Sequence, residues 1–417
     1  MKQIHLTITA QAPLAIGQRK PGGSVSEAMD YIPGTVIRGA IAGKILQQAQ
    51  GQQPEPGDSF HTLFLDESSA IFQNAYPAIA NWGKGEYTVG DGDVHVLPAT
   101  ALSSKTESGF KPNQAGVFDS LIDSFCAREH GLFYEPNSIE GDRVEPFAGF
   151  YSQKPDGKYV SHSVSKRLLT RVGINRRRTT AQDEMLYSIE VMNESQGKKH
   201  PQPTVYKGAI LVDNDALGDA LHQFIERNRY LYRLGGSVSR GLGKVDIVAV
   251  IEDVETSGSS FSQRIEIFNQ ALKQRWGFWN AFGAPKLDRI QGRTFFAIDL
   301  QSDAVLAEQW RRTMVISANM LCQFTDMTGS DVKLEMAYSS YDYRSGWNAA
   351  WGLPKDVELV TKIGSVFLFS VPEAQAKEWE AQLADLEQQG VGDRTAEGFG
   401  QSKVCDEFHL IFRETPV

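Results

Sequence analysis

The sequence lacks a long apolar run, has few cysteines and carries no excess of positive charge. No stretch of eighteen consecutive apolar residues occurs among its 417 residues, so no transmembrane helix is predicted. Cys126, Cys322 and Cys405 are scattered without a Cys-x-x-Cys pair, which disfavours a disulfide framework or a cysteine zinc site and indicates a reducing cytoplasm. The formal net charge of −9 disfavours a protein that coats nucleic acid everywhere, but it allows one basic groove.

The composition and length are typical of a folded protein with two or three domains. Hydrophobic residues make up 41% of the chain and charged residues 22%. The first ten residues alternate between apolar and polar side chains, which predicts a strand rather than a signal peptide. An acidic, small-residue segment at 252–260 is the best linker. We therefore predict a first domain at 1–251, a linker and helix at 252–292, and a second domain at 293–417.

Two short glycine-rich segments are the most informative feature of the chain. The first runs from Arg240 through Gly241 and Gly243 to Lys244, and the second covers residues 397–404. Each follows an amphipathic helix and leads into an apolar alternating segment, so the pair predicts a duplicated domain. Glycine allows a backbone to turn sharply and to approach a ligand closely. A basic neighbour indicates that this ligand is anionic.

The same order of elements is predicted in both halves: strand, helix, strands, helix, glycine loop and strand. We expect Thr35 to cap the first helix, Gly235 to stop a helix that begins near Asp215, and Gly390 to end the last helix. Residues 51–165 form an insert of irregular strands and loops. This order predicts an α+β fold with two ferredoxin-like modules, the frame also used by RNA recognition motifs.

A basic segment at 166–178 is the strongest sign of a nucleic-acid partner. Six of its thirteen residues are basic and none is acidic. It begins a hairpin, with a basic tip, that extends to Met192. Clustered cations repel one another unless a polyanion neutralises them, and a phosphate backbone does so while releasing counterions. A solvated face balanced by acidic neighbours in space is the plainer alternative.

Sites for nucleotide hydrolysis or catalysis have less support. Pro33 and Gly34 precede a helix whose free N–H groups could hold a phosphate, but Arg38 and Ile45 break the pattern of a P-loop around Lys44. His162 lies near the basic segment and could act as an acid or base in a ribonuclease. No grouping with metal-ligand spacing is found, and neither a metal nor a cofactor is predicted.

Several of these segments resemble the RAMP superfamily of CRISPR–Cas effector proteins. The resemblance rests on the order of residues 31–39, the hairpin at 170–187, the two glycine loops and residues 345–366. It implies ferredoxin-like domains that grip a guide RNA, with the first glycine loop, the proline-glycine helix start and the hairpin facing the RNA backbone. The predicted RNA-binding residues are Arg38, Lys44, Lys166, Arg167, Arg171, Arg176, Arg177, Arg178, Arg240, Gly241, Gly243, Lys244 and Arg394.

Within that superfamily, the region after residue 345 resembles the subtype III-D-like group that binds the five-prime handle of the guide. The resemblance implies a noncatalytic subunit that contacts guide RNA, through it the target RNA, and other effector subunits including the large signalling subunit. Three alternatives remain: an endoribonuclease that uses His162 or a nearby residue, a backbone subunit that cuts target RNA with an aspartate, and a structural bridge with little RNA contact. The loop at 17–24 contains no aspartate, and Asp30 is a poor substitute. Glu397 in the second glycine loop indicates a structural or subunit-facing role there.

Overall fold

A computed structural model gives the coordinates of the chain. It describes residues 1–18, 27–49, 54–66, 69–79, 92–175, 177–178, 180–197, 201–253, 258–285, 288–327, 331–348 and 352–417. The predicted linker at 252–260 lies partly outside these residues, as do Arg176 and most of the loop at 17–24. No helix within the described ranges is long and apolar enough to cross a membrane.

Among the described residues, the first half of the chain contains four helices and seventeen strands. The helices are α1 (Gly34–Gln48), α2 (Ser59–Phe64), α3 (Leu121–Glu129) and α4 (Asp215–Arg227). The strands are β1 (Lys2–Ala10), β2 (Gly17–Gln18), β3 (Glu27–Ala28), β4 (Ala70–Phe72), β5 (Tyr76–Pro77), β6 (His95–Val96), β7 (Ala101–Ser104), β8 (Val117–Asp119), β9 (Val144–Pro146), β10 (Phe150–Gln153), β11 (Tyr159–His162), β12 (Lys166–Asn175), β13 (Thr180–Met192), β14 (Ser195–Gln196), β15 (Gln202–Pro203), β16 (Val205–Val212) and β17 (Val245–Asp253).

The second half is smaller, and the part of it that the structure describes adds three helices and ten strands. The helices are α5 (Gly258–Trp279), α6 (Ala318–Phe324) and α7 (Ala376–Gln389). The strands are β18 (Arg293–Leu300), β19 (Leu306–Glu308), β20 (Arg311–Thr313), β21 (Lys333–Tyr338), β22 (Tyr341–Arg344), β23 (Trp347–Asn348), β24 (Leu353–Pro354), β25 (Glu358–Thr361), β26 (Val366–Pro372) and β27 (Ser402–Val404). The predicted mixture of helix and sheet is confirmed.

The first half is built on an antiparallel sheet with the strand order β17-β1-β16-β4, in which β5 also pairs with β16. Strand β1 lies in the middle, with Lys2 opposite Val212 on one side and Ala10 opposite Val245 on the other. Its apolar residues alternate with half-buried polar ones, which is the pattern of a sheet with one fully covered face. The covered face shares a core with helices α1 and α4.

The second half repeats the same arrangement. Its antiparallel sheet has the order β21-β26-β18-β27. The strands β18, β21, β26 and β27 occupy the same places in this sheet as β1, β4, β16 and β17 occupy in the first one. Strand β26 is buried almost throughout, which indicates cover on both faces. Helix α5 supplies part of that cover, because Phe268 and Trp276 belong to the core of the second half.

Two predicted helix ends are wrong. Pro33, rather than Thr35, precedes α1, and no side chain caps that helix. Helix α4 ends at Arg227 instead of continuing to Gly235, because the Asn228 side chain donates a hydrogen bond to the Phe224 carbonyl and closes the last turn. Gly390 ends α7, as predicted, with a φ of 80°.

The two glycine loops have the same backbone conformation. Each begins with a left-handed residue, continues through a single 3₁₀ turn, and then has two left-handed glycines separated by one residue. The left-handed residues are Ser237, Gly241 and Gly243 in the first loop and Arg394, Gly398 and Gly400 in the second. The third residue after the first strand of each half accepts a hydrogen bond from the second of these glycines: Gly243 N–H donates to the Pro13 carbonyl over 2.9 Å, and Gly400 N–H donates to that of Asp303 over 2.8 Å. The two loops are thus alike at the level of individual hydrogen bonds.

The insert is an ordered bridge between the halves. Helix α3 packs into the core of the second half, where its Asp123 accepts hydrogen bonds from Arg275 and Trp279 of α5 over 2.7 and 2.8 Å. Other insert residues form a small core with Phe408 and Ile411 from the C-terminal segment. These long-range contacts explain why the sequence of this region gives so little periodic signal.

The second glycine loop packs directly on the start of α1. A Cβ placed on Gly398 would lie 2.6 Å from the Phe72 carbonyl oxygen and 3.2 Å from the Gly34 Cα. Gly34 is buried, and its N–H donates to the Asn74 side chain over 2.8 Å. The expectation that this helix start faces an RNA backbone is therefore wrong: the second half covers it.

A buried histidine joins the insert, the second sheet and the C-terminal segment. His409 Nδ1 lies 3.1 Å from an Asp119 carboxylate oxygen, and its Nε2 lies 2.9 Å from one of Asp299. Burial opposes the charged imidazole, but the two carboxylates outweigh it and hold the pKa of His409 well above its ordinary value. The resulting stabilisation is present below about pH 6.5 and is lost as pH rises through the elevated pKa.

We therefore expect the free energy of unfolding, measured with urea across a pH series, to fall on the alkaline side. The His409→Gln variant should be less stable and should lose the part of this dependence between about pH 6.5 and 8, because it cannot gain or lose the proton. At higher pH, buried groups with raised pKa values such as Tyr151 and Cys405 lower the stability of both proteins. The half-exposed His5 offers a control: His5→Gln should keep the alkaline loss. An unchanged pH profile in His409→Gln would contradict the assignment.

Candidate nucleic-acid interface

The predicted basic hairpin is present as the two-stranded sheet β12–β13. Its strands pair from Lys166 opposite Met192 towards the tip, with one irregularity after Val172. Its root is anchored by buried Met192, whereas Arg177 and Arg178 near the tip are exposed. A two-stranded ribbon is marginally stable by itself in water. The hairpin therefore presents its cations away from the two main cores.

The first glycine loop reaches this hairpin. The Arg240 guanidinium donates a hydrogen bond to the Tyr187 hydroxyl, and its central carbon lies 5.3 Å from the centre of the tyrosine ring. Tyr187 stands opposite Arg171 in the hairpin register. The structure thus brings together two basic elements that lie more than fifty residues apart. Tyr187 itself was missed, although an aromatic residue across from an arginine in a hairpin was a usable signal.

The two glycines of the first loop differ in the space beside them: Gly241 is unobstructed, and Gly243 is closely packed. A Cβ on Gly241 would meet nothing within 4 Å, whereas one on Gly243 would lie 2.6 Å from the Leu234 carbonyl oxygen. Lys244 is exposed directly after this turn. Gly241 is consequently the position where a ligand backbone can come closest, and Gly243 serves the packing of the loop.

The root of the hairpin is already neutralised. Lys166 lies 2.7 Å from an Asp30 carboxylate oxygen, and Arg167 lies 3.0 Å from one of Glu194. Phosphate contact at these two residues would therefore have to replace an existing carboxylate partner.

Two predicted RNA-binding residues lie on α1. Arg38 is half-buried and donates a hydrogen bond to the Phe64 carbonyl at the end of α2. Lys44 donates to the Gln47 side chain over 3.1 Å, one turn along the same helix. No bond described in the structure joins either of them to the hairpin or to the first glycine loop, so the structure does not gather all predicted residues into one site.

The second glycine loop is built for contact within the chain. Glu397 accepts from Arg394 over 2.7 Å and from Lys355 over 2.9 Å. Burial would raise the pKa of Glu397, but these two cations lower it overall, so the carboxylate is charged at neutral pH. Arg394 also stacks 4.8 Å from the centre of the Phe399 ring. Its charge is therefore largely used inside the protein.

The two candidate catalytic residues line one cavity of about 670 Å³ in the insert, next to the root of the hairpin. His162 is buried, and its Nε2 lies 2.7 Å from the Ser152 hydroxyl. Burial lowers the pKa of His162 to about 4, so its imidazole is neutral at pH 7 and is a weak base rather than an acid. Asp30, at another wall, is held by Lys166. No cluster of metal-binding side chains is present in the part of the chain that the structure describes.

The chain was compared with known proteins. No curated protein matches it. Among solved structures, it resembles a chain in the cryo-EM structure of the Type III-B Cmr-beta bound to cognate target RNA and AMPPnP, with 14% identity over 90% of this chain and 88% of that chain and a TM-score of 0.39. A chain in the complex bound to cognate target RNA is 12% identical over 91% and 94%, with a TM-score of 0.38.

A chain in the apo state of Type III-B Cmr-beta is 14% identical, and the match covers 60% of this chain and 97% of that chain with a TM-score of 0.31. The family comparison is more direct. The model described as the RAMP superfamily matches residues 7–246, which include the end of β1, the insert, the basic hairpin and the first glycine loop. Because this match spans more than half of the sequence, the chain belongs to the RAMP superfamily.

Proposed function

We propose that this RAMP protein is a noncatalytic, guide-RNA-binding subunit of a type III CRISPR effector complex. It would grip the five-prime repeat handle of the guide and dock against other effector subunits, including the large signalling subunit. We also propose that each half is a ferredoxin-like unit. The fourth-first-third-second strand order of both antiparallel sheets supports this, since it is the order of two interleaved βαβ units.

The contact between Arg240 and Tyr187 is the observation that carries the proposal. It joins the first glycine loop to the hairpin, and with Arg171 across from Tyr187 it makes one basic surface from separate segments. Such a surface suits a phosphate backbone, which arginine side chains and open backbone positions such as Gly241 can follow. Phosphate contacts position an RNA without reading its sequence, as a subunit that holds a constant handle requires.

Two observations favour binding over strand cleavage. Neutral, buried His162 is poorly suited to supply a proton, and Asp30 is occupied by an ion pair. The proposal is tested by purifying the chain with its bound RNA and mapping the protected ends by nuclease digestion and sequencing. Protection of a repeat-derived five-prime end is expected. Recovery of no RNA, or protection of the opposite end alone, would contradict the proposal.

A matched pair of variants tests whether RNA binds to the first glycine loop rather than to the second. We expect Arg240→Gln to weaken binding of handle-containing RNA by about tenfold, because a charge-assisted contact to phosphate contributes about 1.5 kcal/mol. Arg394→Gln should change the affinity much less, because Glu397 and Phe399 already engage its guanidinium. Fluorescence anisotropy with labelled RNA measures both. Equal losses in the two variants would contradict the assignment of RNA to the first loop.

A further inference from the structure

The hairpin β19–β20 carries an unusual residue at its tip. Trp310 is fully exposed, at 103% of the reference area, and it follows Gln309 in a two-residue turn. Both residues have positive φ, 49° and 66°, which is the geometry that asparagine and glycine normally occupy in such turns. A tryptophan there is strained and buries nothing within the chain, so neither folding nor packing accounts for it.

The hairpin is held firmly at its base. Arg312 is 2.8 Å from an Asp393 carboxylate oxygen and 2.9 Å from one of Glu358, so it ties the hairpin to the second glycine loop and to β25. Asp393 N–H also donates to the Val305 carbonyl over 2.9 Å. These contacts fix the hairpin, so the Trp310 ring projects from a well-held turn.

The position of this hairpin corresponds to a loop in the first half. Gly236 N–H donates to the Ala15 carbonyl just as Asp393 N–H donates to that of Val305, and in each half a hairpin begins within two residues of that carbonyl. In the first half this hairpin is β2–β3, and Gly236 directly precedes the left-handed Ser237 that begins the glycine loop to which the proposed function assigns RNA. The second half carries an exposed indole on the corresponding hairpin.

The chemistry of the tip favours a nucleobase over an apolar protein surface. Its neighbours Gln309 and Arg311 are polar, so the ring does not continue into an apolar patch on its own turn. Burial in a protein interface benefits from contiguous apolar area, whereas an unpaired base needs only an exposed π-face. Arg311 is exposed beside the ring and suits the phosphate of the same nucleotide.

We propose that Trp310 is a stacking platform for an unpaired nucleotide of single-stranded RNA, with Arg311 as its phosphate contact. This inference rests on the proposed function, and it adds a second RNA contact on the half of the chain that the glycine loop leaves without one. The nucleotide belongs either to the guide or to the target, and the chemistry of the contact is the same in both cases.

The test compares binding of a single-stranded oligouridylate and of the same backbone with abasic sites. We expect Trp310→Ala to weaken binding of the oligouridylate by about five-fold or more, since removing a stacking aromatic costs about 1–3 kcal/mol per base. Trp310→Phe should retain most of the affinity, and Trp310→Leu should not. On the abasic backbone the three variants should bind like the wild type. The exposed Phe133 gives a control, because Phe133→Ala should bind both RNAs normally.

Folding and stacking can be separated by a glycine at the same position. Trp310→Gly should have a thermal midpoint no lower than that of the wild type, because glycine tolerates the positive φ, while it binds the oligouridylate as weakly as Trp310→Ala. Repeating the comparison with guide alone and with guide annealed to target identifies the strand. A loss with guide alone assigns the nucleotide to the guide, and a loss only after annealing assigns it to the target.

The outcomes distinguish this inference from the proposed function. A wild-type chain that binds no RNA would overturn both. A wild type that binds while Trp310→Ala binds equally tightly would overturn only the inference, and the indole would then belong to a protein contact. Equal retention by Trp310→Leu and Trp310→Phe would also overturn it, because apolar bulk rather than a π-face would be the property recognised.

Discussion

Replacing Arg176, Arg177 and Arg178 together with glutamine is expected to weaken binding of handle-containing RNA by about 100-fold at about 0.1 M salt. Each phosphate contact on a single strand contributes about 0.7 to the slope of log affinity against log salt concentration. Loss of three contacts should therefore reduce that slope by about 2. Anisotropy titrations at several salt concentrations measure the affinity and the slope in one experiment.

The control for this variant has the same change in net charge. Arg227, Lys273 and Lys377 are exposed cations on helices α4, α5 and α7. Their joint replacement with glutamine should leave the salt slope close to that of the wild type, because a long-range charge effect is screened within about 10 Å. If both triple variants lose affinity equally, the hairpin is not the site, and overall charge is responsible.

The Gly34→Ala variant is expected to lose about 3 kcal/mol of the free energy of unfolding. A Cβ on Gly34 would lie 1.8 Å from the Phe72 carbonyl oxygen and 3.0 Å from that of Glu397. Both obstacles are backbone atoms, so no rotation of a side chain relieves them, and both β4 and the second glycine loop must shift away from α1. Urea unfolding followed by circular dichroism gives the difference.

The same helix provides the matched control. Gly43 is exposed, and a Cβ placed there would meet nothing within 4 Å. We expect Gly43→Ala to stabilise the protein by up to about 1 kcal/mol through its higher helix propensity. Opposite signs in the two variants would show that close backbone packing at the start of α1, rather than helix formation, sets the cost at Gly34. A neutral Gly34→Ala would mean that the start of α1 is not packed against Phe72 and the second glycine loop.

The sequence was most informative where local chemistry determines the structure. Only glycine readily takes the left-handed conformation, so the spacing of Gly241 and Gly243 repeats in Gly398 and Gly400 and predicts the shared loop. The hairpin could also be predicted, because a run of strand-forming residues and cations favours few other structures. Its strands extend from Lys166 to Met192, and the prediction of a hairpin through residue 192 is confirmed.

The sequence was least informative where distant segments meet. The burial of Gly34 depends on a loop more than 350 residues away, and the contact between Arg240 and Tyr187 depends on two segments folding side by side. The periodicity of apolar residues in the sequence gives no signal for either contact. Helix α4 was overextended for a smaller reason: apolar residues continue past Arg227, but Asn228 forms a local bond that ends the helix first.

The strand order of the first sheet has a consequence for biosynthesis. Strand β1 is synthesised well before both of its partners, because β16 and β17 begin after residue 200. At about 5–20 residues per second, translation leaves this apolar strand unpaired for roughly 10–40 s. An unpaired strand edge invites association with other chains. Production of the protein should therefore depend on chaperone capacity during synthesis.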